Sequence, residues 1–138
     1  MSPFQSLHDY EEFVYGLGQR HPEILSSTLV LARRGPGLAT LTGDVHMPSG
    51  YRLAVYEILT WDAGPVWIQS YSYEVWRGSE KIYWYDPQPH PNDPSLSATH
   101  PHHKHVLPNL KQHRIPAPGI GFNAPNLPFL IQEVIDLA

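Results

Sequence analysis

Residues 98–114, ATHPHHKHVLPNLKQHR, form the most chemically unusual stretch of the sequence. The stretch contains five histidines, two lysines and one arginine, and no acidic residue. Imidazole titrates near neutral pH, so histidines can donate and accept protons, and they are also common metal ligands. Three interpretations follow: a metal site, an acid–base site for nucleic-acid chemistry, or a polar loop that only ties down the fold.

A metal site requires ligands that converge on one ion. The side chains suited to zinc or another divalent ion are His90, His102, His103, His105 and Asp86. The spacing H-P-H-H-K-H matches no structured zinc motif. In an extended chain His103 and His105 share one side, and His102 and Lys104 share the other. At most a subset can therefore bind one ion. The sequence predicts neither a metal nor another cofactor, and a metal-dependent histidine site stays an alternative.

An acid–base site requires fewer converging side chains than a metal site does. Cleavage of RNA by its own 2′-hydroxyl needs a base, an acid and a cation near the phosphate. His102 or His103 together with His105 can supply the base and the acid, and Tyr85 and Asp86 are further catalytic candidates. The purely structural interpretation also stays open, because Asp86 can instead accept histidine N–H bonds.

The charge distribution favours an anionic partner for this region. The net charge of −4 argues against a general nucleic-acid coat. However, eleven of the thirteen acidic residues lie at or before Asp93, and residues 94–132 contain none. A loop that simply lacks acids is an equally good explanation. The candidate substrate-binding residues are Lys104, His90, Lys111 and Arg114.

The elements that position these residues predict an α+β fold in a single domain, residues 1–138. Residues 6–20 have an apolar stripe at helical spacing and begin with Ser6 as a cap. Residues 25–86 alternate apolar and polar positions between breaks rich in Gly, Pro, Asp and Ser, which predicts an antiparallel meander of about five strands. One position conflicts with this alternation, since the carboxylate of Glu57 shares a face with aliphatic residues and is costly there unless it is paired.

The chain from Pro87 onward has a different composition, rich in proline. Ten of the fifteen prolines fall between residues 87 and 128. Since proline lacks an amide donor, the sequence predicts a long Pro/His-rich ordered loop rather than a central strand. The closing NLPFLIQEVIDL predicts a C-terminal helix capped by Asn126.

The composition also restricts the cellular setting. Cysteine is absent, which excludes disulfides and thiolate zinc sites. No apolar run approaches the roughly 20 residues of a membrane span. The opening MSPFQSLHDYEEF lacks the basic and apolar regions of a signal peptide. We therefore expect a soluble, cytoplasmic protein with no membrane association.

Two segments resemble a family of small prokaryotic proteins, the TumE-like toxins of toxin–antitoxin systems. WYDPQPHP at 84–91 is similar to a family element of the form aromatic–Tyr–Asp–Asn–x–Pro–His–His, and PHHKHV at 101–106 is similar to its Pro–His–His–Lys–His element. The order of helix, meander, histidine loop and C-terminal helix is similar too. Pro87 stands where the family has Asn, and Pro91 stands where it has a second His. The matching residues are Tyr85, Asp86, His90, Pro101, His102, His103, Lys104 and His105.

This resemblance implies a toxin that a cognate antitoxin neutralises and that acts, in one version, on RNA. Combined with the histidines, it predicts a metal-independent endoribonuclease. The alternatives are a non-catalytic protein-binding domain and a metal-dependent histidine site. A homodimer is compatible with the sequence and is left open.

Overall fold

The computed structural model describes residues 2–138 as a layer of helices on an antiparallel sheet. The helices are α1 (Leu7–Tyr15), α2 (Leu17–Arg20) and α3 (Leu127–Leu137). The strands are β1 (Ser26–Ser27), β2 (Val30–Gly35), β3 (Leu38–His46), β4 (Tyr51–Thr60), β5 (Trp67–Arg77), β6 (Glu80–Asp86), β7 (His103–Val106) and β8 (Arg114–Pro116). No helix within residues 2–138 is long and apolar enough to cross a membrane.

The eight strands of the described chain make one sheet in the order β1-β3-β4-β5-β6-β7-β8, with β2 also paired to β3. Each strand pair is antiparallel. The α+β class and the antiparallel sheet are confirmed. The expected number of about five strands is too low. Strands β7 and β8 lie inside the predicted loop, and the segment SSTLVLAR (26–33), which was expected to be the first strand of the meander, is divided into β1 and β2.

Local chemistry explains both differences. Residues 103–106 contain no proline and lie between Pro101 and Pro108, so this short stretch can pair on both sides as β7. The first predicted strand is interrupted where β3 passes very close to it. At Gly43, with φ 138°, a Cβ would lie 2.4 Å from the carbonyl oxygen of Thr28, so only glycine fits there.

The helices cover one face of the sheet, which we call the helix face. The Ser6 hydroxyl caps α1 by accepting from the amide of Asp9 at 3.1 Å, as predicted, and the helix then breaks at Gly16. The position of Asn126 at the start of α3 is also as predicted, but its side chain makes no cap. Its amide instead donates to the Tyr73 hydroxyl at 3.0 Å.

Apolar residues from α1, α3 and the helix face form the core. They include Leu53, Val55 and Leu59 of β4 and Val75 of β5. The opposite side, which we call the outer face, carries Glu74 and Trp84 side by side in the β5–β6 register. Because side chains alternate along a strand, residues of β6 and β7 divide cleanly between the two faces.

Candidate functional site

The register of β6 and β7 brings three predicted residues together on the outer face. Asp86 pairs with His103, and Trp84 pairs with His105. The Nε2 atoms of the two histidines are 3.0 Å apart. The Asp86 oxygens lie 3.0 Å from Nε2 of His103 and 3.1 Å from Nε2 of His105. We call these three residues the Asp86 cluster.

Both imidazole rings of the cluster are fixed by the backbone. Nδ1 of His103 lies 3.1 Å from the carbonyl oxygen of Pro101, and Nδ1 of His105 lies 2.7 Å from that of Leu110. A carbonyl can only accept, so both Nδ1 atoms carry hydrogen. In the neutral rings each Nε2 therefore presents a lone pair to the carboxylate and to the other histidine.

Asp86 is held as firmly as the histidines. Its oxygens accept from Nε1 of Trp84 at 3.0 Å and from the amide of Gln88 at 2.9 Å. Burial alone raises the pKa of Asp86, but these two hydrogen bonds and the neighbouring imidazoles outweigh burial and lower the pKa. The side chain keeps 24% of its surface exposed, whereas His103 is buried, so solvent reaches the cluster at Asp86.

Two further predicted residues border the cluster. The ring of His90 stands edge-on to that of His103, with 4.7 Å between centroids. Partial burial and the nearby Arg114 guanidinium lower the pKa of His90. Arg114 pairs with His105 across β7 and β8, and its Nε is buried with no hydrogen-bond partner among the described residues.

His102 lies in a separate feature, an open cleft of about 660 Å³ that we call the His102 cleft. Its Nδ1 is hydrogen-bonded to the Tyr71 hydroxyl at 2.7 Å, and its ring packs 4.4 Å from that of Phe122. Trp67, which is 53% exposed, also lines this cleft. Burial, followed by the charges of His103 and His100, lowers the pKa of His102.

A groove connects the His102 cleft with the Asp86 cluster. This groove has a volume of about 490 Å³, and both Tyr71 and Asp86 line it. Gln69 and Phe122 line both the groove and the cleft. The end of the sheet at β5 and β6 therefore presents one continuous concave surface from Trp67 to Asp86.

Two predicted site residues lie away from this surface, on the helix face. Tyr85 is buried, and its hydroxyl donates to the Glu133 carboxylate at 2.8 Å. Lys104 forms an ion pair with the same carboxylate at 3.1 Å, and its ammonium lies 3.9 Å from the centroid of the Tyr83 ring. Lys111 is exposed in the turn between β7 and β8. The structure thus brings together Asp86, His90, His103, His105 and Arg114, but not Tyr85 or Lys104.

The sequence interpretation overlooked several neighbours of the site. Trp84 could have been identified, since it precedes Asp86 by two residues in the same strand and must share its face. Tyr71 and Phe122 could not, because they reach His102 from a distant strand and from the loop before α3. Glu133 is one of two acids in the C-terminal helix, and nothing local links it to Lys104.

The fold and the site define a small α+β protein with a histidine–carboxylate cluster at the end of an antiparallel sheet. The family model described as Toxin TumE matches residues 15–137. The chain therefore belongs to the TumE toxin family, as the PHHKHV and WYDPQPHP segments predicted. The family implies in general a cognate antitoxin as partner. No curated protein and no solved structure matches the chain.

Proposed function

We propose that this toxin is an endoribonuclease that cleaves single-stranded RNA at the surface between Trp67 and Asp86. One observation carries the proposal: His102, hydrogen-bonded to Tyr71, stands in an open cleft that continues into the groove bordered by Asp86. A proton-transfer group, a stacking surface and a charged cluster thus adjoin one another. This combination suits the chemistry of a flexible anionic polymer.

The aromatic residues of the His102 cleft are suited to unpaired bases. Trp67 is 53% exposed, and Phe122 forms the opposite part of the lining. Unpaired bases stack on such rings without regard to sequence, whereas bases within a duplex are unavailable for stacking. On the far side of the cluster, Arg114 and the exposed Lys111 are the cations available for the phosphate backbone.

The proposed reaction uses the RNA's own 2′-hydroxyl as nucleophile. His102 takes the proton from this hydroxyl, the oxygen attacks phosphorus, and the bond from phosphorus to the 5′-oxygen breaks. His90 gives a proton to the leaving oxygen. The products are a 2′,3′-cyclic phosphate and a 5′-hydroxyl, so atoms and charge balance. Asp86 lines the groove that adjoins the cleft, and His90 packs against His103 of the same cluster, so the cluster is the group proposed to organise the phosphate.

Cleavage assays with the purified full chain, separated from its antitoxin, test this proposal. We expect single-stranded RNA to be cut to fragments with cyclic phosphate and 5′-hydroxyl ends. His102→Gln should lower the rate by about 10²- to 10⁴-fold, the usual contribution of one acid–base group. His46→Gln is the matched control, because His46 lies on β3 away from the cleft, and its rate should stay within twofold of wild type.

Growth arrest on induction provides the second readout. His102→Gln should relieve the arrest at equal protein level, and His46→Gln should not. Intact RNA with folded wild-type protein, or arrest that is unchanged in His102→Gln, would reject the proposal. The exposed cleft would then be better explained as a docking surface for a protein, which was the non-catalytic alternative.

A further inference from the structure

We propose that Asp86, His103 and His105 hold one divalent first-row transition-metal ion on the outer face. The inference deepens the proposed function, because it supplies the cation that cleavage needs near the phosphate. Lys104 was the candidate for that role, but it is paired with Glu133 on the helix face. The metal site itself does not depend on the reaction, since it follows from the geometry of three side chains.

The distances within the Asp86 cluster fit the ligands of a single ion. The two Nε2 atoms are 3.0 Å apart. Oδ1 of Asp86 lies 3.0 Å from Nε2 of His103, and Oδ2 lies 3.1 Å from Nε2 of His105. Metal–nitrogen and metal–oxygen bonds of about 2.0–2.2 Å at angles near 90–110° separate neighbouring ligands by roughly 2.9–3.5 Å. The ligand atoms of the three residues lie within 4.8 Å of one another, so one ion placed between them can contact both Nε2 atoms and the carboxylate of Asp86 after a small adjustment of the side chains.

The hydrogen bonds around the cluster favour a cation between the three side chains. Because both Nδ1 atoms donate to backbone carbonyls, the two Nε2 lone pairs and the carboxylate would face one another and repel at these distances. Two occupants relieve this repulsion: a shared proton or a metal ion. Such outward hydrogen bonds from the distal ring nitrogens are also the usual support of metal-binding histidines.

The carboxylate has the matching support. Trp84 and the Gln88 amide fix the orientation of Asp86 from behind, while its exposed fraction leaves one side open to solvent. An ion held here would keep free positions for water or a phosphate oxygen. Two imidazoles and one carboxylate suit zinc, manganese, iron or cobalt ions, whereas magnesium and calcium prefer shells of oxygen alone.

The sequence favoured no metal, because H-P-H-H-K-H matches no local motif, but it kept a metal-dependent histidine site as an alternative, with Asp86 among the candidate ligands. The structure shows which subset of those candidates converges, because the end of β6 brings Asp86 to His103 and His105. His103 and His105 share a side of β7, and the antiparallel register sets Asp86 opposite His103. The ligand set is therefore assembled by strand pairing.

Titration of Zn²⁺ into the untagged full chain, previously dialysed against a chelator, tests the site directly. We expect one Zn²⁺ per chain by calorimetry, a higher melting temperature, and one Co²⁺ with visible absorption when cobalt is used instead. Asp86→Asn and His105→Gln should weaken binding by more than about 100-fold, since each removes a ligand. His100→Gln, an exposed histidine of the same segment, should bind within twofold of wild type.

The outcomes separate this inference from the proposed function. Absence of saturable one-to-one binding, or equal binding by folded Asp86→Asn, would overturn the metal site and assign the cluster to a shared proton. Asp86→Asn keeps the size of the side chain, and circular dichroism verifies its fold. A protein that binds one Zn²⁺ but leaves RNA intact would refute cleavage alone. One that cleaves RNA in chelator and binds no Zn²⁺ would refute the metal alone.

Discussion

Two carboxylates on opposite faces of the same sheet show how differently one fold can use an acidic side chain. Glu57 is completely buried on the helix face and accepts from the hydroxyls of Tyr10 at 2.6 Å and Tyr73 at 2.5 Å. Asp86 lies on the outer face, keeps 24% of its side chain exposed and faces two imidazoles. The first links α1 to β4 and β5, whereas the second borders an open groove.

The partners of each carboxylate explain the difference. The hydroxyls around Glu57 can donate, so that group is satisfied without any additional ion. Burial raises the pKa of Glu57 to about 7, although both hydroxyls act in the opposite direction. The histidines around Asp86 have their Nδ1 hydrogens committed elsewhere, so in the neutral rings their Nε2 lone pairs face a carboxylate that already accepts from Trp84 and the Gln88 amide. A buried acid is therefore not in itself evidence of a functional site. Whether the neighbouring groups donate hydrogen bonds to it or present lone pairs to it distinguishes the two cases.

The largest expected effect is a difference in RNA cleavage rate between variants of the two carboxylates. Asp86→Asn should lower RNA cleavage by about 100-fold or more, because it removes a ligand of the proposed cation that would organise the phosphate. Glu57→Gln should leave the cleavage rate within a few-fold at a temperature where both variants are folded. Rates on one single-stranded RNA, with folding checked by circular dichroism, make the comparison. A strong loss in Glu57→Gln alone would reverse the assignment of roles.

The next effect concerns stability and pH. Because the pKa of Glu57 rises from 4.5 to about 7 on folding, the folded state binds more protons between these values. The resulting stability is complete below pH 4.5 and is lost as pH rises through 7. From the difference in pKa the loss is on the order of 3 kcal/mol.

Urea unfolding between pH 4.5 and 8 measures this slope. The Glu57→Gln variant should lack the contribution and have a flatter profile than wild type. The groups that face Glu57 are Tyr10 from α1 and Tyr73 from β5, and the pKa of each is raised well above its ordinary value, so neither titrates in this range. An identical slope in the variant and wild type would contradict the assignment.

The contrast also explains which features could be predicted from sequence. Alternation within a strand placed Glu57 among Leu53, Val55 and Leu59, and placed His103 beside His105, because both depend only on side-chain periodicity. Alternation alone did not identify the partner of either group, although Asp86 was among the candidate partners of the histidines. Tyr10, Tyr73 and Asp86 arrive from other elements, and their positions follow from the register and the helix packing.

The missed strands β7 and β8 have a related cause. Proline density is a property of a long window, whereas strand pairing needs only a few residues free of proline. Residues 103–106 meet that condition but are too short to produce a periodic signal. An extended segment was expected to place Lys104 on the side opposite His103 and His105, but only the pairing of β7 shows that Lys104 meets Glu133 there.

A smaller effect tests how completely Glu57 is satisfied. Tyr10→Phe removes one donor and leaves a buried carboxylate oxygen without its partner, which should cost about 1–3 kcal/mol of stability. Tyr56→Phe is the matched control, because Tyr56 is 43% exposed on the same strand as Glu57, and should change stability by no more than about 0.5 kcal/mol. Urea unfolding measures both, and equal values for the two variants would contradict the account of Glu57.

The smallest expected effect comes from Lys104, which lies on the helix face while its neighbours His103 and His105 lie on the outer face. Lys104→Met keeps an apolar stem over the Tyr83 ring but removes the ion pair with Glu133, which is worth at most about 1 kcal/mol at a partly exposed site. RNA cleavage should stay within twofold of wild type, because Lys104 points away from the groove. Arg114→Gln, on the face of the Asp86 cluster, should weaken RNA binding and reduce its dependence on salt. A tenfold loss of cleavage in folded Lys104→Met would instead return this lysine to the phosphate site.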